Sequence, residues 1–253
     1  IGTGKGSNKG QKRDLALIVS DTPAAVAGMF TTNQVCAAPV KVSLAKSRKA
    51  RAQAIVVNSG NANACTGNQG LQDARRCGDL VAETLDIAPE LVAVSSTGVI
   101  GVPLPMHCFE EHVPSLCRML SHDQFDGVAK AMMTTDAFPK MCGRTIKIDG
   151  QEVRLLGLAK GAGMIDPNMA TMLCVVTTDA ALSQPALRAS LRRSVANSFN
   201  RITIDGDMST NDTVILLANG LSGVTPSVGV FDAALDEVNR ALARMIVSDG
   251  EGV

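Results

Sequence analysis

The segment with the most chemical character runs from Lys160 to Leu173 and reads KGAGMIDPNMATML. Its glycines permit backbone angles that other residues avoid, and Pro167 stiffens the approach to an apolar run that begins at Thr171. Threonine is a common strand residue, so the residue types alone favour an ordinary loop leading into a strand. The alternative is that the Thr171 hydroxyl is a nucleophile, which would need a neighbouring base to activate it.

A second polar segment resembles a loop that binds a divalent cation. Its spacing differs from the EF-hand pattern, because the glycine is misplaced and the distal glutamate is absent, so we predict a hydrogen-bonded turn near the active site instead. His107 and His112 are five residues apart and do not share a helix face, which indicates a polar helix surface. We therefore predict no metal site. The polar residues of the loop are Asp205, Asp207, Ser209, Asn211 and Asp212.

Charge and aromatic content exclude several classes of partner. Lysine plus arginine and aspartate plus glutamate are equal at 24 each, so no basic field indicates nucleic acid. Six Phe, no Trp and no Tyr leave few rings for base stacking. We predict no nucleic-acid partner, and the lack of an apolar run of spanning length predicts no membrane partner.

The cysteines indicate the compartment. There are seven, an odd number, and no CxxC pair occurs among them. A disulfide framework or a zinc site is therefore not expected, and a reducing compartment is favoured. We predict a cytoplasmic location, or an organellar one if the source is eukaryotic.

Apolar patterning predicts a mixture of strands and helices without strict βαβ alternation. This mixture favours a mixed α+β fold, a layered α/β sandwich, over a doubly wound sheet. Strands are predicted at Leu15–Val19, Ala24–Phe30, Ala54–Val57, Leu91–Ser95, Thr145–Ile148, Glu152–Leu156, Thr171–Thr178 and Thr213–Ala218, with a turn at Asp149-Gly150-Gln151. Helices are predicted at Gly70–Leu85, Met106–Leu120, Phe125–Met133, after a cap at Ser183, and at Phe231–Val247.

The whole chain resembles one family. KGAGMIDPNMATML closely resembles the self-cleavage motif of the bifunctional ornithine acetyltransferase/N-acetylglutamate synthase family. Seven further segments resemble that family in the same order: DLALI, FTTNQVCAAPV, NSGNANACTG, SSTGVIG, MTTDAFPK, NRITIDGDMSTND and DGEG. Family members typically continue well past the DGEG segment, with further strands and substrate contacts. The resemblance implies the layered sandwich of this self-processing type.

It also implies that the protein cuts itself between Ala170 and Thr171. Residues 1–170 would then form an α chain bearing the oxyanion hole, and residues 171–253 the N-terminal part of a β chain. The Thr171 hydroxyl would attack the Ala170 carbonyl, and water would open the resulting ester. The freed α-amine, with a reference pKa of about 7.7–8.0, could then act as general base for the same hydroxyl.

The family pattern assigns the remaining site residues. Thr97 and Gly98 of SSTGVIG would stabilise the oxyanion, and Lys160 would face a substrate carboxylate or a nearby group. Glu251 would pair with the δ-ammonium of ornithine. The full set of substrate-binding residues implied by the resemblance is Thr134 or Thr135, Lys160, Thr171 and Glu251.

The implied function is transfer of an acetyl group from N-acetylornithine to glutamate in arginine biosynthesis, through an acetyl-threonine intermediate. No metal or dissociable cofactor is expected. Some members also use acetyl-CoA as acetyl donor, and the sequence leaves that open. The cut chains would form an α2β2-type assembly. Two alternatives stay open: a self-processed N-terminal-nucleophile amidohydrolase or aminopeptidase, which passes the acyl group to water, and a non-catalytic relative that stays uncut.

Overall fold

The structure is a computed structural model that describes residues 2–3, 12–166 and 172–251. Within these ranges the chain forms seven strands and six α-helices. The strands are β1 Leu15–Phe30, β2 Arg51–Asn61, β3 Val92–Val99, β4 Lys140–Ile148, β5 Gln151–Lys160, β6 Leu173–Thr178 and β7 Thr213–Ala218. The helices are α1 Ala38–Ser47, α2 Gly67–Leu85, α3 Met106–Arg118, α4 Phe125–Met132, α5 Gln184–Ala196 and α6 Val228–Ser248.

All seven strands join one mixed sheet in the order β3-β2-β1-β7-β6-β5-β4. The β2/β3 and β6/β7 pairs are parallel, and the other neighbours are antiparallel. This sheet with helices on both faces confirms the predicted mixed α+β class. The two strands predicted before residue 31 are one strand, β1, whose pairing with β2 shifts register between Val19 and Ala24. Such a bulge bends a long strand without ending it.

The layers follow from apolar residues on both faces of the central strands. In β2, Ala54 and Val56 pack with α1, α2 and α3, whereas Ile55 and Val57 pack towards α4 on the opposite face. Strands covered on both faces carry continuous apolar runs, as β2 does at residues 54–57. The face of the sheet that carries α1, α2 and α3 is covered, over β5, β6 and β7, by α5 and α6. Among the described residues, none of the helices combines the length and the apolarity needed to cross a bilayer.

The two C-terminal helices match their sequence signals. The Ser183 side chain accepts a hydrogen bond from the Ala186 amide at the start of α5, as predicted. Leu187, Leu191 and Val195 then recur every fourth residue, and all three are fully buried. The apolar stripe of α6 is likewise buried.

Helix α1 was not predicted, because its apolar residues form no stripe. Its buried residues cluster in the first two turns, and Pro39 fits the first turn because the N–H that it lacks would have no helical partner there. The predicted hairpin forms with longer strands. Its turn contains only Asp149 and Gly150, whose φ angles of 50° and 80° suit a two-residue turn, and Gln151 already pairs with Ile148.

The proposed chain boundary separates, along the sequence, strands that belong to one sheet. Ala170 and Thr171 lie outside the described residues, and β6 is described from Leu173. Both strands that follow the boundary, β6 and β7, lie between β1 and β5. The segments before and after residue 170 therefore build a single sheet.

Candidate active site

One cavity of about 1160 Å³ gathers all the predicted site residues that the structure describes. They arrive from separate parts of the chain: the end of β3, the segment after α4, the end of β5 and the segment after α6. The remaining two, Ala170 and Thr171, lie outside the described residues. The six residues that line the cavity are Thr97, Gly98, Thr134, Thr135, Lys160 and Glu251.

The wall at the end of β3 requires glycine at position 98. Gly98 has a φ of 131°, in the region that favours glycine, and it faces Gly60 across the parallel β2/β3 pair. A Cβ atom on Gly98 would lie 2.3 Å from the Gly60 carbonyl carbon and 2.4 Å from the Asn61 nitrogen. The glycine therefore allows the two backbones to approach closely beside Thr97.

Thr97 presents a hydroxyl at the cavity wall. The residue is only 6% exposed and lines the cavity. In the part of the chain that the structure describes, no hydrogen bond uses its side chain, so the hydroxyl is available as a donor to a bound group. An available donor on a rigid strand is what an oxyanion hole needs.

Asparagine side chains hold this wall in place. The Asn211 side-chain amide donates to the carbonyls of Ala62 at 2.7 Å and Ser96 at 2.8 Å. The Ser96 hydroxyl donates to the Asn58 side chain at 2.6 Å, and all these groups are buried. The predicted hydrogen-bonded turn after Asp205 is thus present, and it braces the residue that precedes Thr97.

Lys160 is a buried cation at the end of β5. It is 4% exposed, and its Nζ lies 4.0 Å from Oδ2 of Asp136. Burial lowers the pKa of Lys160, against the opposing effects of Asp136, Asp212 and Glu251. The paired carboxylate of Asp136 is 4.0 Å from Lys160 Nζ, so Lys160 can still pair with an incoming carboxylate.

Asp136 organises the groups around Lys160. Its Oδ1 accepts from the Gly161 amide and from Lys140 Nζ, both at 2.7 Å, and its Oδ2 accepts from the Thr134 amide at 2.9 Å. Burial alone would raise the pKa of Asp136, but Lys160, Lys140 and these amides outweigh it and lower that pKa. Asp136 is therefore an ionised, fully buried centre that orders both neighbouring site residues.

A second carboxylate links this centre to the end of α6. Lys140 is fully buried and donates to Asp249 at 2.5 Å as well as to Asp136. Asp249 also accepts from the Ala137 amide at 3.0 Å. This buried cluster of Lys140, Asp136 and Asp249 fixes the end of α6 two residues before Glu251.

Glu251 reaches the cavity beside the glycine-rich turn. Its amide donates to the Ala162 carbonyl at 2.8 Å. A Cβ atom on Gly163 would lie 2.9 Å from the Glu251 carboxyl group, so this side chain packs directly against the glycine-rich turn. Thr134 is fixed from the other side, because Lys12 Nζ donates to its carbonyl at 2.7 Å.

Several of these residues were missed by sequence reasoning. Asp136 and Lys140 of MTTDAFPK flank Ala137, Phe138 and Pro139, and this was a usable signal, because charged residues in apolar surroundings are buried only when they are paired. Lys12 and Asp249 had no such signal, since their partners are remote in sequence. Among the described residues, no group of three or more His, Cys, Asp or Glu side chains could hold a metal ion.

The cavity carries both signs of charge. Lys12 and Lys160 supply cations, and Asp205, Asp207 and Glu251 supply carboxylates. A ligand with a carboxylate and an ammonium group would find partners for both.

Two solved structures of similar proteins relate the chain to known folds. Ornithine acetyltransferase of Mycobacterium tuberculosis, solved in complex with ornithine, is 35% identical, with a TM-score of 0.53 over 61% of this chain and 82% of that one. An aminopeptidase of Ochrobactrum anthropi, described as a variant of the Ntn hydrolase fold, gives a TM-score of 0.51 over 91% of this chain and 76% of that one. It is only 10% identical, so it shows the shared fold alone.

Sequence comparison covers almost the whole chain. The arginine biosynthesis bifunctional protein ArgJ of Syntrophotalea carbinolica is 53% identical over 255 residues, which is 98% of this chain. The match spans 64% of that relative's length. The model of the ArgJ family matches residues 2–253. The resemblance read from the motifs is therefore confirmed, and the chain belongs to the ArgJ family.

Proposed function

We propose that the protein is an ornithine acetyltransferase that carries an acetyl group on Thr171 between N-acetylornithine and glutamate. The observation that carries this proposal is the single cavity in which Thr97, Gly98, Lys160 and Glu251 meet. Membership of the ArgJ family and the ornithine complex of the M. tuberculosis relative support it.

The first reaction is self-cleavage. The Thr171 hydroxyl attacks the Ala170 carbonyl, the C–N bond breaks, and the nitrogen leaves as the α-amine of Thr171. Water then hydrolyses the ester, which leaves Ala170 with a carboxylate and Thr171 with a free hydroxyl. The two resulting chains are residues 1–170 and the chain that begins at Thr171, and we propose that they form an α2β2-type assembly.

The second reaction is acetyl transfer in two steps. The Thr171 amine takes the hydroxyl proton as the oxygen attacks the acetyl carbonyl of N-acetylornithine, and ornithine leaves after its nitrogen is protonated. The amine of glutamate then attacks the acetyl-threonine ester and regenerates the hydroxyl. Each step passes through an oxyanion, which the Thr97 hydroxyl and the Gly98 backbone would stabilise.

Substrate recognition follows from charge. N-acetylornithine presents an α-carboxylate and a δ-ammonium, and the cavity offers Lys160 to the first and Glu251 to the second. Thr134 and Thr135 line the same wall and would contact the substrate beside Lys160. Glutamate shares the α-carboxylate, so one cation serves both substrates. No metal or dissociable cofactor is part of this scheme, and a cytoplasmic site of arginine biosynthesis suits it.

Kinetics test the proposal and separate it from its rivals. Initial rates with N-acetylornithine and glutamate should give parallel double-reciprocal lines, because the acetyl group waits on the enzyme. Release of acetate at the same rate without glutamate would instead identify an amidohydrolase. A wild-type protein that stays uncut and transfers nothing would be a non-catalytic relative. Acetyl-CoA in place of N-acetylornithine tests whether N-acetylglutamate is also made from that donor.

A further inference from the structure

One segment, residues 203–213, holds the chain on both sides of the proposed cleavage segment. On the N-terminal side, Asp205 Oδ1 accepts from the Ile165 amide at 2.7 Å and Oδ2 accepts from the Met164 amide. The Thr203 hydroxyl and the Ile204 amide donate to the Ile165 carbonyl at 3.1 Å and 2.9 Å. Four hydrogen bonds thus fix residues 164–165.

The backbone that Asp205 holds is strained at Met164. Met164 has a φ of 59°, in the left-handed region that residues with a Cβ occupy at a cost of about 1 kcal/mol or more. The carboxylate of Asp205 also accepts from the Asp207 amide at 3.2 Å, so three amides surround it. These amides stabilise the turn before the cleavage segment in a conformation that it would not adopt alone.

On the C-terminal side, Asp212 holds the first described residue after the segment. Its Oδ1 accepts from the Met172 amide at 3.0 Å, and the Thr213 amide donates to the Met172 carbonyl at 3.1 Å. That Met172 amide belongs to the peptide bond that joins it to Thr171. Asp212 is 0% exposed, and its Oδ2 has no hydrogen-bond partner within standard geometry among the described residues.

The two carboxyl groups differ in their environment. Asp205 is exposed, and its three amides outweigh the effect of desolvation and lower its pKa below the ordinary value. Burial raises the pKa of Asp212 well above its ordinary value, against the opposing effects of the Met172 amide, the Ser209 and Thr31 hydroxyls and Lys160. Asp205 thus acts as an anion whose two oxygens both accept backbone amides, whereas Asp212 holds the backbone through Oδ1 alone.

We infer that Asp205 and Asp212 are a pair of positioning residues for self-cleavage: they hold the main chain on either side of the scissile bond so that the Thr171 hydroxyl meets the Ala170 carbonyl. The inference rests on the proposed function. Because an intramolecular attack depends steeply on alignment, loss of either anchor should slow cleavage while leaving the nucleophile in place.

The two sites should respond differently to asparagine. At position 205, asparagine keeps one acceptor oxygen and turns an NH2 group towards a backbone N–H, so Asp205→Asn should slow cleavage by on the order of 10²-fold. At position 212, asparagine keeps the acceptor for the Met172 amide without a charge. Asp212→Asn should therefore cut at nearly the wild-type rate, whereas Asp212→Ala should be slowed about tenfold or more.

The experiment follows appearance of the two fragments over time after cell-free synthesis of the complete protein. Asp179→Ala is the matched control, because Asp179 also accepts a backbone amide, that of Arg154 at 2.8 Å, at the opposite end of β6. It should cut like the wild type. Thermal unfolding of the uncut species shows whether each variant is folded.

Three results would overturn the inference: wild-type cleavage rates in Asp205→Asn and Asp212→Ala, equal slowing in Asp179→Ala, or an Asp212→Asn variant as slow as Asp212→Ala. A wild-type protein that is not cut would instead contradict the proposed function itself.

Discussion

At the scale of single residues, the candidate site depends on glycines that let two segments of the chain come closer together than a side chain would permit. Gly98 has no side chain because the backbone of Gly60 occupies the space that a Cβ would need, whereas at Gly163 only the carboxyl end of Glu251 lies in that space. The need for glycine at such a position cannot be predicted from a sequence unless the glycine belongs to a known motif. The Thr-Gly pair of SSTGVIG was identifiable only through the family resemblance, since the pair alone is typical of a turn.

Thr97 provides the first prediction. If its hydroxyl donates to the oxyanion, Thr97→Ala should lower kcat for acetyl transfer by about 10²–10³-fold with a smaller change in KM. Thr97→Ser keeps the donor and should retain most of the rate. Steady-state kinetics on variants shown by mass spectrometry to be cut will measure this. An unchanged kcat in cut Thr97→Ala would assign the hydroxyl a structural role only.

Lys160 provides a prediction on pH. Its pKa is lowered by burial from the ordinary value of 10.5, so it loses its charge below pH 10.5. KM for N-acetylornithine should therefore rise with pH in this alkaline window, as the substrate carboxylate loses its partner. Lys160→Arg stays charged, so its KM should rise only at higher pH, about 10.4, where the δ-ammonium of the substrate itself loses its proton. A pH-independent KM in the wild type would remove Lys160 from carboxylate binding.

The same titration of Lys160 also changes the free energy of unfolding. Raising the pH weakens substrate binding but stabilises the fold. Because the folded protein favours the neutral amine of Lys160, the unfolded chain binds more protons between the lowered pKa and 10.5. The contribution of this group to the free energy of unfolding should therefore increase as the pH rises through that window.

At the scale of secondary-structure elements, a buried ion cluster joins β4 to the end of α6. Lys140 lies between Asp136 and Asp249 with both side-chain contacts excluded from solvent. Through this cluster, the position of Glu251 depends on a lysine more than a hundred residues earlier. Packing of α6 on β4 and β5 brings the partners together.

Removal of Lys140 should therefore be strongly destabilising. Lys140→Met removes the only cation paired with Asp249 among the described residues and leaves Asp136 with Lys160 at 4.0 Å, which should lower the free energy of unfolding by about 3–5 kcal/mol. Lys130→Met is the control, because the Lys130–Asp126 pair on α4 is about half exposed and should change stability by about 1 kcal/mol or less. Urea denaturation measures both. Equal effects would mean that Lys140 is not a structural anchor.

The elements themselves were largely predictable from local pattern. Helices α2, α5 and α6 carry clear periodicity, strand β7 is a continuous apolar run, and Asp149-Gly150 predicts the hairpin. Helix α1 has no stripe, and the sheet order could not be predicted, since β7 lies beside β1 through contacts between residues about 190 positions apart. Lys12 and Asp249 were missed for the same reason: long-range pairing leaves no local signal.

At the scale of the whole molecule, the proposed cut divides the strands of one sheet between two chains. Strands β6 and β7 lie between β1 and β5, so each fragment lacks a complete sheet of its own. The β1/β7 and β5/β6 ladders cross the boundary between the fragments. The two chains should therefore stay together after cleavage.

This gives a prediction about the purified protein. The two fragments should co-elute as one species in size-exclusion chromatography under native conditions and separate only in denaturant. Native mass spectrometry of the same sample would report whether that species is the proposed α2β2 assembly. Fragments that separate without denaturant would contradict the shared sheet.

The proposed function requires that Thr171 carries the acetyl group. Intact-mass analysis of the purified protein after incubation with N-acetylornithine alone tests this requirement. We expect two chains that meet at Ala170/Thr171, with the fragment that begins at Thr171 heavier by one acetyl group, and the loss of that group when glutamate is added. A single uncut chain, or a cut enzyme that transfers acetyl while this fragment keeps its unmodified mass, would contradict it.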